Sequence, residues 1–356
     1  MAKQKRGVAE YVQNLVIRGV IRLALTLPYG ARVRFMGWVM SAVVAPIAGW
    51  RTRVRNNLNL VLPDMPADQV ERLTRQVPNN FGRSLIEIYS GDQFKNRVKD
   101  IPFQGDGVQA LADAKQQGRP VILVTGHFGN YDAPRAALIA QGYPVGGLYN
   151  PMSNAFFNDQ YVAAISGLGK PVFERSRKGL AEMVRFLKGG GIVGMVADHY
   201  MRHGVPVDFM GHPAYTALSA AEMAVKYDAL VIPIYGRRQP DGLGFDIIVD
   251  APIPHGDPVE MTRAMNTSLE ELIYQNPEQW FWIHRRWKTP PKEGLDFLKK
   301  GPRNEQRHST CRVGSPGGRR LHAWHGFRCG SRHLSAARRG MGLRLGSCHR
   351  ASNRRR

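Results

Sequence analysis

Cysteine is almost absent from this sequence, and where it occurs it is confined to one end. All three cysteines, Cys311, Cys329 and Cys348, lie after residue 310. The first 310 residues therefore contain neither a disulfide framework nor a cysteine nucleophile. This distribution fits a protein of a reducing compartment.

Several catalytic signatures are also missing. No G-x-S-x-G nucleophile elbow and no GxGxxG phosphate loop follows a predicted strand, and no GxxxxGK[ST] loop is present. These absences argue against a serine hydrolase and against the common nucleotide-binding folds. A reaction at this chain would then need direct attack by a substrate hydroxyl or by water.

Acidic residues are scarce at both ends. Residues 1–60 hold ten Lys and Arg against one acid, a net charge of +9. Residues 61–300 hold 26 residues of each sign, and residues 301–356 hold fourteen Arg against one acid, a net charge of +13. A nucleic-acid enzyme is usually basic through its folded body, so we expect no nucleic-acid partner. The charges divide the chain into a basic N-terminal segment, a neutral body and an Arg-rich tail.

The tail at 301–356 has no lysine and no sustained helical or strand period. Its Arg, Gly, Ser and His content favours a disordered segment. A shifted reading frame in a GC-rich gene would give similar text. Either way, we expect the tail to add nothing to the catalytic core.

The N-terminal segment alternates apolar and basic stretches. Residues 35–50 run without a charge, but sixteen residues are fewer than the ~20 that a helix needs to span a bilayer. Arginines flank this run on both sides, which favours a helical segment lying in, or partly inserted into, an anionic membrane face. A buried helical hairpin is the alternative. No signal-peptide cleavage site follows a clean apolar run.

The neutral body alternates helical and strand patterns. Short apolar runs predict strands at 121–124, 145–148, 192–196, 230–234 and 245–249. Apolar spacings of three and four predict helices at 67–90, 109–117, 133–140, 156–166, 180–187, 217–227 and 262–275, with Pro78 bending or interrupting the first. This alternation predicts an α/β domain over 61–300, with a mostly parallel central sheet flanked by helices.

A glycine turn with a histidine follows the strand at 121–124. His127 and Asp132 flank Gly129 and Asn130, and a helix begins directly afterwards. Such turns, at the carboxyl edge of a parallel sheet, are where α/β folds bind ligands. We expect Asp132 to accept a hydrogen bond from one ring nitrogen of His127, leaving the other nitrogen to act as a general base. Backbone N–H groups near Gly129 and Asn130 are expected to bind substrate. The alternative is a structural helix start with a favourable acid in its first turn.

A metal site is the competing hypothesis. Asp198, His199 and His203 could join His127 and Asp132 as ligands. His199 and His203 are four residues apart, so their side chains point in the same direction only if the segment is a helix. A nearby glycine and proline favour a loop instead. We therefore expect neither a metal nor a cofactor.

The motifs together resemble those of a known family. They comprise a basic block at 53–60 followed by Leu62-Pro63, the H-x4-D at 127–132, a block ending in Arg175 at 172–175, Ala197-Asp198 with 205–216, Val231-Ile232-Pro233, and 277–287. In this order, over about 10–290, they resemble the bacterial lipid A late acyltransferases, the lauroyl and myristoyl transferases within the glycerolipid acyltransferase superfamily. His199 departs from the pattern, since this branch often has Gln there.

The resemblance implies an enzyme that moves an acyl chain from acyl carrier protein to a hydroxyl of a lipid A precursor, without a covalent acyl-enzyme. It implies that Arg175 binds a substrate phosphate, and that Asp198 orients a sugar hydroxyl or holds the site together. Arg285 and Arg286 are expected to bind acceptor phosphate or the membrane surface. The location implied is the cytoplasmic face of the inner membrane.

Two other functions stay open at this point. One is acyl transfer to another lipid acceptor, a lysophospholipid or a glycolipid. The other is a non-enzymatic, basic membrane-binding protein whose effector is the tail. Chain length, acceptor position and oligomeric state do not follow from the sequence.

Overall fold

The computed structural model describes residues 4–289, and the tail predicted at 301–356 lies outside them. The N-terminal part is helical: α1 Val8–Leu25, α2 Tyr29–Trp38, a π-helical segment Val39–Val44, α3 Ala45–Ile47, α4 Trp50–Val61, α5 Ala67–Tyr89 and α6 Asp92–Val98. Residues 26–28 separate α1 from α2. Helix α5, however, runs uninterrupted through Pro78, which is buried on the packed side of the helix.

The remaining elements alternate. They are β1 Phe103–Gln104, α7 Val108–Gln117, β2 Val121–Thr125, α8 Asp132–Ala140, β3 Val145–Tyr149, α9 Ala155–Leu168, β4 Val172–Glu174, α10 Arg177–Lys188, β5 Ile192–Val196, β6 Val205–Phe209, β7 His212–Thr216, α11 Ser219–Tyr227, β8 Leu230–Arg238, β9 Phe245–Val249 and α12 Pro258–Gln275. A 3-10 turn, Pro277–Gln279, follows α12.

Seven strands form the central sheet in the order β1-β9-β8-β2-β5-β3-β4. All neighbouring pairs are parallel except β8 and β9. The predicted α/β fold with a mostly parallel sheet is therefore confirmed. Strand β9 is antiparallel to β8 because only residues 239–244 separate them, which is enough for a hairpin but too short for a crossover.

The centre of the sheet is buried on both faces. Successive residues of β2 point to opposite helical layers: Val121 and Leu123 pack into one apolar cluster, and Ile122 and Val124 into another. This explains the continuous apolar run, since a strand covered by helices on both sides has no solvent face. The carboxyl ends of β2 and β5 consequently meet at one well-supported edge.

The loop predicted around His199 and His203 is confirmed. Residues 205–216, for which no strand was predicted, form the antiparallel hairpin β6–β7. Met210 and Gly211 both have positive φ at its tip, as a two-residue primed turn requires. The inward side chains, among them Val207, Phe209 and Ala214, are buried against the body of the protein.

The N-terminal helices pack against the body through α5. Ile21, Val33 and Met36 form an apolar cluster with Ile86 of α5. Among the described residues no single helix is long and apolar enough to cross a membrane. Two consecutive helical segments, Tyr29–Ile47 and Trp50–Val61, are together long and apolar enough to do so, but the chain bends by 87° between them.

Candidate active site

His127 and Asp198 form the centre of the site. They follow the neighbouring parallel strands β2 and β5, so their backbones leave the sheet at the same edge. The Nδ1 atom of His127 lies 2.7 Å from Oδ1 of Asp198, and the backbone N–H of His127 donates to Oδ2 over 2.8 Å. Trp280 donates its indole N–H to the same Oδ2 over 2.8 Å. Three donors thus fix this buried carboxylate.

The predicted hydrogen bond between Asp132 and His127 is wrong. Asp132 is the first residue of α8, and its Oδ1 accepts instead from Nε of Arg135 at 2.9 Å. Arg135 also donates to the carbonyls of Ile165 and Gly169, at 2.8 and 3.0 Å. Asp198, from the adjacent strand, already occupies the position at Nδ1. Asp132 therefore belongs to a buried network that ties α8 to the end of α9.

The contact with Asp198 determines which ring nitrogen of His127 is available. Asp198 remains ionised: burial acts to raise its pKa, but the charge and hydrogen bond of His127, aided by His284 and His199, hold that pKa well below its usual range. An ionised carboxylate accepts a hydrogen bond from Nδ1–H, which leaves the lone pair on Nε2. Nε2 is thus free to take a proton from a substrate.

Two further histidines surround His127. The ring centroids of His199 and His284 lie 4.5 and 4.6 Å from that of His127, and 4.1 Å from each other. Desolvation, followed by the charge of His127, lowers the pKa of His284 well below its usual value. The same causes lower the pKa of His199 to about 4, although this residue is exposed to solvent at the edge of the cluster. Both imidazoles are therefore uncharged at neutral pH.

The three imidazoles are also the residues that could hold a metal ion. One nitrogen from each lies within 4.8 Å of one from each of the others. The set differs from the ligands considered from sequence, because His203 is exposed outside the cluster and His284 takes its place. Asp198 contributes through His127 rather than as a direct ligand.

The glycine turn is held by hydrogen bonds within the protein. Gly129 has φ +54°, and a Cβ there would lie 2.0 Å from the carbonyl oxygen of Gly236. Its N–H donates to Gln279, and the N–H of Asn130 donates to Gly236. The Asn130 side chain is buried and bonded to Glu87 and to the Asp132 N–H.

The substrate contacts predicted for Gly129 and Asn130 do not fit this arrangement. Their backbone N–H groups and the Asn130 amide all have partners inside the protein, so neither residue offers a free donor. Both residues instead shape the turn that carries His127.

Arg175 fits its predicted role better. It follows β4, and its charge contributes to the lowered pKa of His199, which locates it beside the site. Its side chain contacts the sulfur of Met201, and within residues 4–289 no carboxylate lies within ion-pair distance of it. A half-buried guanidinium without a carboxylate partner suits an anionic ligand.

The two arginines of the C-terminal block differ. Arg286 is fully buried and donates to the Tyr215 carbonyl at 3.1 Å and to the Thr216 hydroxyl at 2.7 Å. It joins the hairpin to the body, and the predicted contact with substrate phosphate does not fit a guanidinium with no exposed surface. Arg285 is exposed and remains available for an anion.

The N-terminal basic block supports the same edge. Asn57 of α4 donates its side-chain amide to the carbonyls of Trp282 and His284, at 2.7 and 2.8 Å. Arg53 donates to the carbonyl of Ile283 at 3.3 Å. These contacts fix the backbone on which His284 is mounted and explain why the two distant motifs occur together.

Two pockets adjoin at Tyr131, next to His127. The larger encloses about 600 Å³ including its open mouth, and its lining is largely apolar: Leu123, Val145, Leu148, Ile165, Val172 and Ile234. The smaller, about 270 Å³, is lined by His127, Phe81 and Phe281. Tyr131 lines both, and its ring centroid lies 5.1 Å from that of His127. Tyr131 therefore connects the larger, apolar pocket to the side of the site that holds His127.

Comparison with known proteins decides the family. The family model described as bacterial lipid A biosynthesis acyltransferase matches residues 2–289. The chain belongs to this family. It is an acyltransferase, and the activity shared by the family is acyl transfer in lipid A biosynthesis.

Curated relatives of this acyltransferase agree. It is 28% identical over 281 residues to the lipid A biosynthesis lauroyltransferase of Escherichia coli (strain K12), covering 77% of this chain and 90% of the relative. It is 27% identical over 285 residues to the palmitoleoyltransferase of the same organism, with the same coverage. A phosphatidylinositol mannoside acyltransferase of Mycobacterium tuberculosis (strain ATCC 25618 / H37Rv) is 22% identical over 245 residues, covering 67% of this chain and 78% of the relative.

Proposed function

We propose that this acyltransferase transfers a fatty acyl group from acyl carrier protein to a hydroxyl of a lipid A precursor. The observation that carries the proposal is the imidazole of His127, held through Nδ1 by the ionised Asp198 with Nε2 free. This is the arrangement that a general base needs to activate a hydroxyl.

The reaction then follows from the residues at the site. Nε2 of His127 takes the proton of the acceptor hydroxyl while its oxygen attacks the thioester carbonyl. The tetrahedral oxyanion collapses and the carbon–sulfur bond breaks. The imidazolium returns the proton to the departing thiolate, so the histidine ends neutral and no acyl-enzyme forms. Asp198 stabilises the transient imidazolium.

The larger pocket supports an acyl donor. Apolar side chains line it, and burying a methylene group there contributes about 0.8 kcal/mol. With the alkyl chain in this pocket, the thioester carbonyl would lie near Tyr131 and His127. Arg175 lies near His199, and we propose that it binds a phosphate of the donor arm or of the acceptor.

We also propose that the protein acts on the cytoplasmic face of the inner membrane, where a lipid acceptor and a soluble carrier protein can meet. The outward face of α1 supports this, because Val8, Val12 and Val16 are all more than half exposed. Residues 1–60 also carry a net charge of +9. Exposed apolar groups beside basic ones suit an anionic lipid surface.

A competition assay tests the choice of substrates. The purified full chain would receive acyl carrier protein or coenzyme A charged with the same acyl group, and products on a lipid A precursor, a lysophospholipid and a mannosylated phosphatidylinositol would be measured by mass spectrometry. We expect the highest kcat/KM with the carrier protein and the lipid A precursor. Preferential acylation of either other acceptor would contradict the proposed acceptor and favour that alternative.

A further inference from the structure

The proposed reaction uses one histidine of the cluster and leaves the other two unexplained. His199 follows β5 next to Asp198, and His284 comes from the segment after α12. His284 Nε2 is buried and has no hydrogen-bond partner within residues 4–289. A buried nitrogen without a partner is costly unless something binds it.

The surroundings of His127 match those of a metal-binding histidine. Such a residue commonly donates its other ring N–H to a carboxylate, which fixes the ring and raises its basicity. Asp198 accepts such a hydrogen bond from Nδ1 of His127 at 2.7 Å and also accepts one from Trp280. The carboxylate also supplies a negative charge beside the cluster.

The geometry points to a binding site for a divalent transition-metal cation, of which Zn²⁺ is the probe, formed by His127, His199 and His284. Tetrahedral zinc has Zn–N bonds of about 2.0–2.1 Å, which separates ligand nitrogens by roughly 3.3 Å. The present nitrogens lie within 4.8 Å of one another, so modest side-chain rotations suffice to close the site. Three imidazoles leave a fourth position for water.

The site has a consequence that rests on the proposed function. A metal ion bound to His127 would occupy the lone pair of Nε2, which is the lone pair that accepts the hydroxyl proton in the proposed reaction. Metal binding and general-base catalysis therefore exclude each other, and Zn²⁺ should inhibit acyl transfer. Arg175 and Arg286 lie nearby and oppose a dication. We accordingly expect a dissociation constant in the micromolar range, typical of reversible inhibition rather than permanent occupancy.

Binding is measured first, without reference to activity. The untagged full chain, treated with a chelator and then freed of it, would be titrated with Zn²⁺ by calorimetry and with Co²⁺ by visible absorption. We expect the wild type to show a site with the absorption of tetrahedral cobalt. In the His199→Gln variant this absorption should be lost, and the affinity for Zn²⁺ should be at least about tenfold weaker. His203→Gln, an exposed histidine outside the cluster, is the matched control and should bind as the wild type does.

The cysteines and histidines of 301–356 are present in the wild type and in both variants. Any metal that they bind is therefore common to all three proteins, and only the difference in binding between them reports on the cluster. Equal binding by wild type and His199→Gln would overturn the proposal, as would loss of binding in His203→Gln alone.

Inhibition is measured second, as the ratio of rates with and without Zn²⁺ within each variant. We expect the wild type and His203→Gln to be inhibited and His199→Gln to be at least about tenfold less sensitive. If the metal binds the cluster but leaves acyl transfer unchanged, the site stands and the general-base role of His127 fails. If acyl transfer is intact and no metal binds, the metal site fails alone.

Discussion

Asp132 and Arg135 form a buried ion pair in the first turn of α8, and Arg135 also donates to carbonyls at the end of α9. Removing one charge of such a pair leaves the other buried and uncompensated, which typically costs about 3–5 kcal/mol. We therefore expect Asp132→Asn to lower the free energy of unfolding by about 3 kcal/mol in urea denaturation. Asp68→Asn is the control, because Asp68 pairs with Arg72 on an exposed helix face, where a pair contributes at most about 1 kcal/mol.

A different result would restore the sequence-based role of Asp132. If Asp132→Asn kept the stability of the wild type and lost acyl transfer, this carboxylate would act on the chemistry and not on the fold.

The cluster histidines make stability depend on pH. Histidine in the unfolded chain titrates near pH ~6.5, whereas the pKa of His199 is lowered to about 4 and that of His284 lies well below its usual value. As pH falls from ~6.5 towards 4, these histidines bind protons in the unfolded chain but not in the folded protein. The free energy of unfolding should therefore decrease.

Melting temperatures across this pH range, in a chelating buffer, check the prediction. The slope should be shallower for His284→Gln than for the wild type. A slope unchanged by that substitution would mean that His284 titrates normally in the folded protein.

At the residue scale, the sequence marked both His127 and Asp198 but not their contact. The spacing in the chain favoured Asp132, five residues from the histidine. Choosing Asp198 instead requires knowing that β2 and β5 are neighbours, and strand order depends on packing rather than on local pattern. His284 was marked only as part of a motif, because its ring reaches the site through the tertiary fold.

Among the elements, the turn after β2 depends on Gly129. An alanine there would adopt positive φ and place its Cβ against the carbonyl of Gly236. We expect Gly129→Ala to cost at least about 2 kcal/mol of unfolding free energy, measured from the urea midpoint. Gly167→Ala is the control. That glycine lies in α9 with no atom within 4 Å of the added Cβ, so its variant should be slightly more stable.

Equal stability of the two glycine variants would show that the turn can relax. It would also weaken the view that Gly129 is a structural residue.

Element type was largely predictable, whereas pairing was not. Continuous apolar runs identified β2, β5 and β8, since burial on both faces leaves a clear signal. The hairpin β6–β7 was missed because its glycine and proline favour loops locally. Its inward side chains are buried only by packing against the rest of the protein, which the local sequence does not reveal. The direction of β9 was set by the short connection after β8.

At the scale of the whole molecule, the exposed face of α1 is the proposed contact with lipid. The Val12→Asp/Val16→Asp double variant should reduce co-sedimentation with anionic vesicles, because charges replace groups that would enter the interface. The assay is best run at high salt, which screens the fourteen arginines of 301–356.

Val225→Asp on α11 is the matched control, as Val225 is also exposed and apolar but lies on the body. Undiminished sedimentation of the double variant would count against α1 as the membrane face. The neutral charge of 61–300 is consistent with confining lipid attraction to the N-terminal helices and the tail.

The rate of acyl transfer by the His127→Ala variant tests the central claim most directly. The measurement is a single-turnover assay with acyl carrier protein as donor and a lipid A precursor as acceptor, with the urea midpoint recorded beside it. Loss of the general base should slow transfer about 10²- to 10⁴-fold while the fold is retained. Transfer within a few-fold of the wild-type rate by the folded His127→Ala variant would contradict the account.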